Sequence, residues 1–117
     1  IVFDFFFFLA QFTEEQIEAV WQKAFIQPNN DPNVFRKDYA GAWIRRDQYG
    51  DRTAVYGWEI DHCKPVSKGG TDEIDNLYPL HWENNAQKAD DYPNWQLKLR
   101  SDGNHNIESV TSWHVKK

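Results

Sequence analysis

The sequence predicts a small α+β domain with one leading helix and several short strands. A capping-box pattern followed by apolar residues at helical spacing indicates an amphipathic helix from Thr13. Short runs of β-branched and aromatic residues between turn signals indicate strands from about residue 43 onwards. A turn at residues 101–104 indicates a C-terminal hairpin in the tail from Trp95 to Lys117. Because 117 residues suit one domain, we expect a single domain over residues 1–117.

The leading helix has a clear start. Thr13-Glu14-Glu15-Gln16 fits the capping box, in which the first and fourth residues satisfy two unpaired N–H groups reciprocally. Apolar residues then follow at i, i+3, i+4, i+7 and i+8 and form one stripe: Ile17, Val20, Trp21, Ala24 and Phe25. The helix should end before Pro28, because the residue preceding a proline is pushed out of the α region. Residues 34–38 are expected to form a short helical turn.

Strands and one further helix are expected in the middle of the chain. Trp43 and Ile44 begin a first strand, residues 49–52 form a turn, and residues 55–60 form a second strand. After a loop with a tight turn at Gly69-Gly70, residues 76–80 should form a short strand and residues 81–90 a helix.

Aromatic residues are expected to build the core, since 16% of the chain is Phe, Trp or Tyr. Core positions are expected for Trp43, Trp58, Trp82 and Trp95. Cys63 is the single cysteine, which excludes an internal disulfide and the cysteine-rich zinc sites. We interpret it as a small buried hydrophobe. A single cysteine is compatible with a reducing compartment, and we expect a cytoplasmic protein.

The charge balance argues against a tight, non-specific nucleic-acid binder, because the net charge is −5 and such binders usually carry a basic surplus. The segment 36–52 is an exception, with five Arg or Lys residues against three Asp. Residues 1–12 form an apolar extension too short to span a bilayer, and we expect no membrane association. This Phe-rich segment could be a buried strand, a processing remnant or a fragment of a longer chain, and it could contact a protein partner or a larger parent chain.

The chemistry is expected around Asp61 and His62, which end the second strand ahead of Pro65. Adjacent strand residues point to opposite faces, so the two cannot both ligate one ion while the strand continues. Asp61 can supply a carboxylate oxygen to a hard cation such as Mg²⁺, and an Asn can supply a carbonyl oxygen. His62 then stays free of the metal and can take a proton from water.

Three later residues could complete this site. Asn76 has the chemistry to hold the imidazole, or its loop, in a productive orientation. Asn85 and Lys88 share one helical face at i, i+3 spacing. Asn85 could complete the metal site, and Lys88 could meet a phosphate.

The order and spacing of these residues resemble the HNH nucleases, whose pattern is D-H…P…G-G…N-L-x-x-L-x-x-x-x-N-x-x-K. The matching residues span about thirty positions: Asp61, His62, Pro65, Gly69, Gly70, Asn76, Leu77, Leu80, Asn85 and Lys88. The resemblance implies a ββα-metal core, also called the His-Me finger, at residues 58–90. It further implies a metal-dependent endonuclease that hydrolyses DNA phosphodiester bonds, of the small intracellular type found in bacteria and phages.

The resemblance also implies a role for each site residue. Asp61 and Asn85 would bind one divalent metal, and His62 would be the general base that activates water. Asn76 would orient the loop and His62. Lys88 would neutralise phosphate charge. Bound metal would stabilise charge on the phosphate and on the leaving 3′ oxygen.

Two departures from the family pattern define the expected cofactor. Many relatives carry CxxC pairs for a structural zinc, but this chain has His81 and Asn84 at one such pair, and we expect no structural zinc. A third histidine ligand of one branch is replaced by Ala89, which favours Mg²⁺ or Mn²⁺. His81 is expected at a helix start or in the core and is kept as a minor site candidate.

Phosphate contacts are expected from Lys64 and Lys68, which flank the loop after the strand. Arg45 and Arg46 are weaker candidates, because adjacent strand residues face opposite ways and only one of them can face DNA. Two other functions stay open: a non-catalytic nucleic-acid-binding or assembly module with this fold, and an RNase or nuclease toxin. The residues do not distinguish DNA from RNA.

Overall fold

The leading helix and its cap form as predicted. The computed structural model describes residues 12–109 and 112–114, so that most of the apolar extension, residues 1–11, lies outside the described residues. Helix α1 runs Glu14–Trp21. Thr13 and Gln16 close the capping box through two hydrogen bonds of 2.9 and 3.0 Å.

The helix ends earlier than the apolar stripe predicted. Phe25 exchanges two backbone hydrogen bonds with Lys37, at 2.8 and 3.0 Å, and the chain is therefore no longer helical at residue 25. Ala24 is still buried, but the Phe25 side chain is 54% exposed. The prediction was wrong for this last turn, because pairing with a distant segment outweighed the helical pattern.

The first strand pair follows. Strand β1, Phe35–Lys37, pairs antiparallel with β2, Trp43–Arg45. The helical turn expected at residues 34–38 is therefore wrong, while the strand predicted to begin at Trp43 is confirmed. A 3₁₀ turn at Arg46–Gln48 leads out of β2.

The middle of the chain forms a second antiparallel pair followed by a helix. Strand β3, Trp58–His62, pairs with β4, Leu77–His81, with Trp58 opposite His81 and His62 opposite Leu77. Helix α2, Trp82–Lys88, follows β4 directly. The predicted strand and helix after the Gly-Gly loop are thus confirmed. Strand β3 begins later than expected, because Val55 lies in a loop with its side chain 71% exposed.

The C-terminal segment contains the predicted hairpin, formed by β6, Leu99–Asp102, and β7, His105–Glu108. A further antiparallel pair joins β5, Asn94–Gln96, to β8, Ser112–His114. The described residues therefore combine two α-helices with small antiparallel sheets, which is an α+β architecture.

Tryptophan rings and aliphatic side chains share the core, so the aromatic core that the composition predicted is only partly present. The main cluster packs α1 on the sheets, with the rings of Trp21 and Trp58 5.3 Å apart. A second cluster of buried residues packs the C-terminal segment against β4 and contains Leu80, Trp95 and Leu97. Trp82 is only half-buried, so its predicted core position is not reached. No helix in the described part of the chain is long and apolar enough to cross a bilayer.

Candidate active site

Strand β3 and helix α2 are joined by two side-chain contacts. Asn85 donates a 2.8 Å hydrogen bond from Nδ2 to Glu59, and the Lys88 ammonium lies 3.3 Å from an oxygen of Asp61. Side chains two apart share a strand face, and side chains three apart share a helical face, so the E-x-D and N-x-x-K segments meet in register. The two elements thereby bring Asp61 and Asn85 to the same side of β3.

Asp61 is buried and held by two side chains. Only 5% of Asp61 is exposed. Tyr39 donates a 2.7 Å hydrogen bond from its hydroxyl to Oδ2, and Lys88, fully buried, faces Oδ1. Burial raises the pKa of Asp61, while Lys88 and the Tyr39 hydroxyl oppose that shift. Burial and the neighbouring Asp61 charge also raise the pKa of Tyr39, which keeps its hydroxyl proton available for donation.

His62 is half-buried and directed to a loop carboxylate. Its Nε2 lies 2.6 Å from Oδ1 of Asp72, and its ring packs 6.0 Å from the ring of Phe12. The other ring nitrogen, Nδ1, makes no hydrogen bond to any residue within the described ranges. Asp72 was not predicted from the sequence, because its contact depends on the path of the Gly-Gly loop and leaves no local pattern.

Asn76 forms hydrogen bonds with the backbone at both ends of the Gly-Gly loop. Its Oδ1 accepts a hydrogen bond from the Lys64 amide at 2.8 Å, and its Nδ2 donates to the carbonyls of Lys64 and Thr71 at 3.0 and 2.8 Å. The loop folds back so closely that a Cβ at Gly70 would lie 1.7 Å from the Lys64 carbonyl oxygen. The structure therefore places Asn76 at the base of the loop that carries Asp72, and not against the imidazole itself.

A cleft of about 240 Å³ opens beside β3. Asp61, His62 and Asn85 all line it, as does Asp90 beyond the end of α2. The Asn85 amide nitrogen is used by Glu59, while its Oδ1 accepts no hydrogen bond from the residues the structure describes. Three of the predicted site residues thus come together in one cavity.

The predicted basic residues lie outside this lining. Lys64 and Lys68 are exposed, and Lys68 donates a 2.8 Å hydrogen bond to the Asp90 carbonyl. Arg45 pairs with Asp47 at 2.9 Å, and Arg46 pairs with Glu18 at 3.1 Å. Both arginines are therefore engaged by carboxylates of the chain itself.

His81 lies away from the cleft. It is fully buried, its Nδ1 accepts a 3.0 Å hydrogen bond from the Glu83 amide, and its Nε2 lies 2.8 Å from the Val55 carbonyl. Both ring nitrogens are thus engaged by backbone groups. The imidazole caps the start of α2 and holds the loop before β3.

A second buried aspartate occupies the neighbourhood of His81. Asp38 is fully buried and accepts hydrogen bonds from the amides of Ala40, Ala42 and His81 at 2.8 to 3.0 Å and from Nδ2 of Asn84 at 3.3 Å. Asn84 in turn binds the backbone of Lys98 and Leu99. We call Asp38, His81 and Asn84 the Asp38 cluster. Sequence reasoning missed it, because Asp38 lies more than forty residues before His81 and Asn84.

Asp61 and Asp90 offer carboxylate oxygens at the cleft, and Asn85 offers an amide oxygen. Among residues 12–109 and 112–114, no three His, Cys, Asp or Glu side chains gather into a metal-binding group. A hard cation accepts such a sparse oxygen set, because it keeps several waters as ligands. This donor set therefore fits a hard divalent cation with oxygen ligands better than a metal that prefers several histidine ligands.

One comparison with known protein families found a match. A family model described as HNH endonuclease matches residues 47–91, the segment that contains β3, β4, α2 and all residues that line the cleft. No curated protein and no solved structure matches the chain. Members of the matched family are generally nucleases. Residues 47–91 of this chain therefore form an HNH endonuclease domain.

Proposed function

We propose that the chain is a metal-dependent endonuclease that hydrolyses DNA phosphodiester bonds, with β3, β4 and α2 as its ββα-metal core. One observation carries the proposal: Asp61, His62 and Asn85 line the same cleft, although they come from a strand and a helix more than twenty residues apart. A carboxylate, an amide oxygen and an imidazole are the groups that single-metal hydrolysis needs.

Asp61 and Asn85 are the proposed protein ligands of one divalent cation. A carboxylate has about four lone-pair positions, so Asp61 can accept from Tyr39, face Lys88 and still bind a cation. Asn85 contributes Oδ1, since its nitrogen is engaged by Glu59. The bound cation would supply charge stabilisation to the phosphoryl group and to the leaving oxygen.

His62 is the proposed general base. Asp72 accepts from Nε2, so that this nitrogen carries the proton and Nδ1 keeps its lone pair. A water beside Nδ1 would give up its proton to the imidazole as its oxygen attacks phosphorus. Asn76 supports this geometry indirectly, by fixing the loop that carries Asp72.

Lys88 has a different proposed role from the phosphate contact that the sequence predicted. Its ammonium is fully buried and faces Asp61 and the His62 carbonyl, at 3.3 and 3.2 Å. We therefore assign it to balancing the Asp61 charge from inside the protein. Phosphate contacts fall to Lys64 and Lys68 at the exposed loop beside the cleft, while Arg45 and Arg46 would have to leave their acidic partners first.

The test uses supercoiled plasmid with the wild-type protein and His62→Ala, in Mg²⁺, Mn²⁺ and EDTA. Wild type should nick or cut the plasmid with metal only, and His62→Ala should lose at least about a hundredfold of that rate. His105→Ala is the matched control, since His105 lies on the exposed hairpin and should cleave as wild type does.

Two results would contradict the proposal. No cleavage of DNA with any metal, together with no metal binding by calorimetry, would favour a non-catalytic nucleic-acid-binding module. Cleavage that survives in His62→Ala would show that another group is the base. A parallel reaction on single-stranded RNA of the same length separates a DNA endonuclease from an RNase.

A further inference from the structure

Glu59 links Arg52 to the proposed metal ligand Asn85. Its Oε2 accepts from Arg52 Nε at 2.6 Å, and its Oε1 accepts from both Arg52 Nη2 and Asn85 Nδ2 at 2.8 Å. The two bonds to Arg52 run in parallel and fix the plane of the carboxylate. Glu59 is largely buried, with 19% of its side chain exposed. The carboxylate therefore presents one oriented acceptor to helix α2.

That acceptor decides which end of the Asn85 amide faces the cleft. The terminal torsion of an asparagine has two nearly equivalent orientations, which exchange the oxygen and the nitrogen. Only the oxygen can ligate a cation, whereas the NH₂ group would repel it. A carboxylate accepts and cannot donate, so Glu59 binds the nitrogen and turns Oδ1 away from itself.

We propose that Glu59 is a positioning residue that selects the metal-binding orientation of Asn85, and that Arg52 holds Glu59 in place. This inference rests on the proposed function, because it concerns the cation that Asp61 and Asn85 would share. Residues that orient a metal ligand commonly contribute about 10- to 100-fold to metal affinity. An exposed ion pair without such a contact contributes little.

The position of Glu59 on β3 supports this role. Glu59 and Asp61 are two residues apart on one strand, and Asn85 and Lys88 are three apart on the facing helix. The same two elements thus hold one metal ligand directly and orient the other. Arg52, with 55% of its side chain exposed, is the solvent-facing member of this series of contacts, which runs from Arg52 through Glu59 to Asn85.

The experiment measures Mn²⁺ affinity by calorimetry in the absence of nucleic acid, together with the melting temperature in EDTA. Glu59→Met removes the acceptor at similar length and should weaken Mn²⁺ binding about tenfold or more. Glu59→Gln keeps one oxygen for Asn85 and should lose less. The matched control is Glu108→Met, which removes a strand glutamate from the exposed pair with Lys98 and should bind Mn²⁺ as wild type does.

A double-mutant cycle separates orientation from general stability. Aspartate at position 85 presents an oxygen in either orientation, so its binding needs no acceptor at Glu59. Glu59→Met should therefore weaken Mn²⁺ binding in the Asn85 protein and not in the Asn85→Asp protein. A purely structural role would give the same loss, and the same fall in melting temperature, in both backgrounds.

The outcomes distinguish the two proposals. If wild type binds Mn²⁺ and cleaves DNA while Glu59→Met binds Mn²⁺ equally tightly, the positioning role is overturned and the nuclease stands. An equal loss in both backgrounds also overturns the positioning role. If wild type neither binds Mn²⁺ nor cleaves, both proposals fall. A loss confined to the Asn85 background, with an unchanged melting temperature, supports the inference.

Discussion

Two buried aspartates show how one residue type takes a structural and a proposed functional place in the same fold. Asp38 accepts four hydrogen bonds from three backbone amides and Asn84, and no cation faces it among the described contacts. Asp61 is held by a hydroxyl and an ammonium and lies on the wall of a cleft. Burial raises the pKa of both carboxyls, so burial alone does not separate them.

The two aspartates differ in the groups that bind their carboxylates. Backbone amides bind Asp38 at the centre of the Asp38 cluster, where the turn between β1 and β2 packs against the start of α2. Side chains hold Asp61 instead, and they leave lone pairs that a cation can use. A buried carboxylate therefore indicates a metal site only when it also lines a cleft and keeps lone pairs free for a cation.

The largest expected effect separates the two aspartates by stability and activity. Asp38→Asn would place an NH₂ group against N–H donors that now point at a carboxylate oxygen. We expect a loss of about 3 kcal/mol in the free energy of unfolding, measured by urea titration near neutral pH. The folded fraction should keep its specific cleavage rate.

Asp61→Asn is the matched variant for that comparison. It should lose most of the metal-dependent cleavage while its stability in EDTA changes less than that of Asp38→Asn, because its partners are two side chains that can adjust. The distinction between a structural Asp38 and a functional Asp61 would be wrong if Asp38→Asn lowered the specific cleavage rate of the folded protein as far as Asp61→Asn does.

A comparable effect concerns the buried ammonium of Lys88. Lys88→Met keeps the length of the side chain but leaves the buried Asp61 without its ion pair, which should lower stability in EDTA by about 3 kcal/mol. Mn²⁺ should then raise the melting temperature more in Lys88→Met than in wild type, since the cation replaces the missing charge. Thermal melts with and without Mn²⁺ measure both effects.

Lys98→Met provides the control, because Lys98 pairs with Glu108 on the surface and should change neither melt. An equal Mn²⁺ response in wild type and Lys88→Met would show that Lys88 and the cation do not share Asp61.

The sequence predicted the elements and residues that depend on local pattern. The cap at Thr13, the strand and helix after the Gly-Gly loop, and the C-terminal hairpin all follow from short-range periodicity and turn chemistry. Asp61 and Asn85 lie on the strand and the helix where local periodicity predicts them.

Contacts that depend on packing between distant segments were not predictable. Tyr39 reaches Asp61 across twenty-two residues, and Asp38 reaches His81 across forty-three. Neither leaves a periodic signal in the chain. The strand at Phe35–Lys37 was predicted as a helical turn, because the bridge from Lys37 back to Phe25 leaves no signal in the local pattern. The contact of Glu59 with Asn85, across twenty-six residues, likewise appears only in the fold.

The smallest expected effect is the pH dependence of the stability that Asp38 contributes. Burial raises the pKa of Asp38 above its ordinary value of 3.8, and the donors of His81, Ala42 and Asn84 only partly oppose that shift. A carboxyl with a raised folded-state pKa binds more protons when folded than when unfolded. Its contribution to stability is therefore present below pH 3.8 and is lost as pH rises through the folded-state pKa.

Asn at position 38 does not titrate, so the destabilisation caused by Asp38→Asn should be larger at about pH 4.5 than at about pH 8. Urea unfolding of both proteins in EDTA at the two pH values measures this difference, and the titration of Asp61 cancels because both proteins retain it. A destabilisation that instead grows with pH would show that the four N–H donors outweigh burial. The Asp38 cluster would then stabilise an ionised carboxylate, and the contrast with Asp61 would be one of charge as well as of partners.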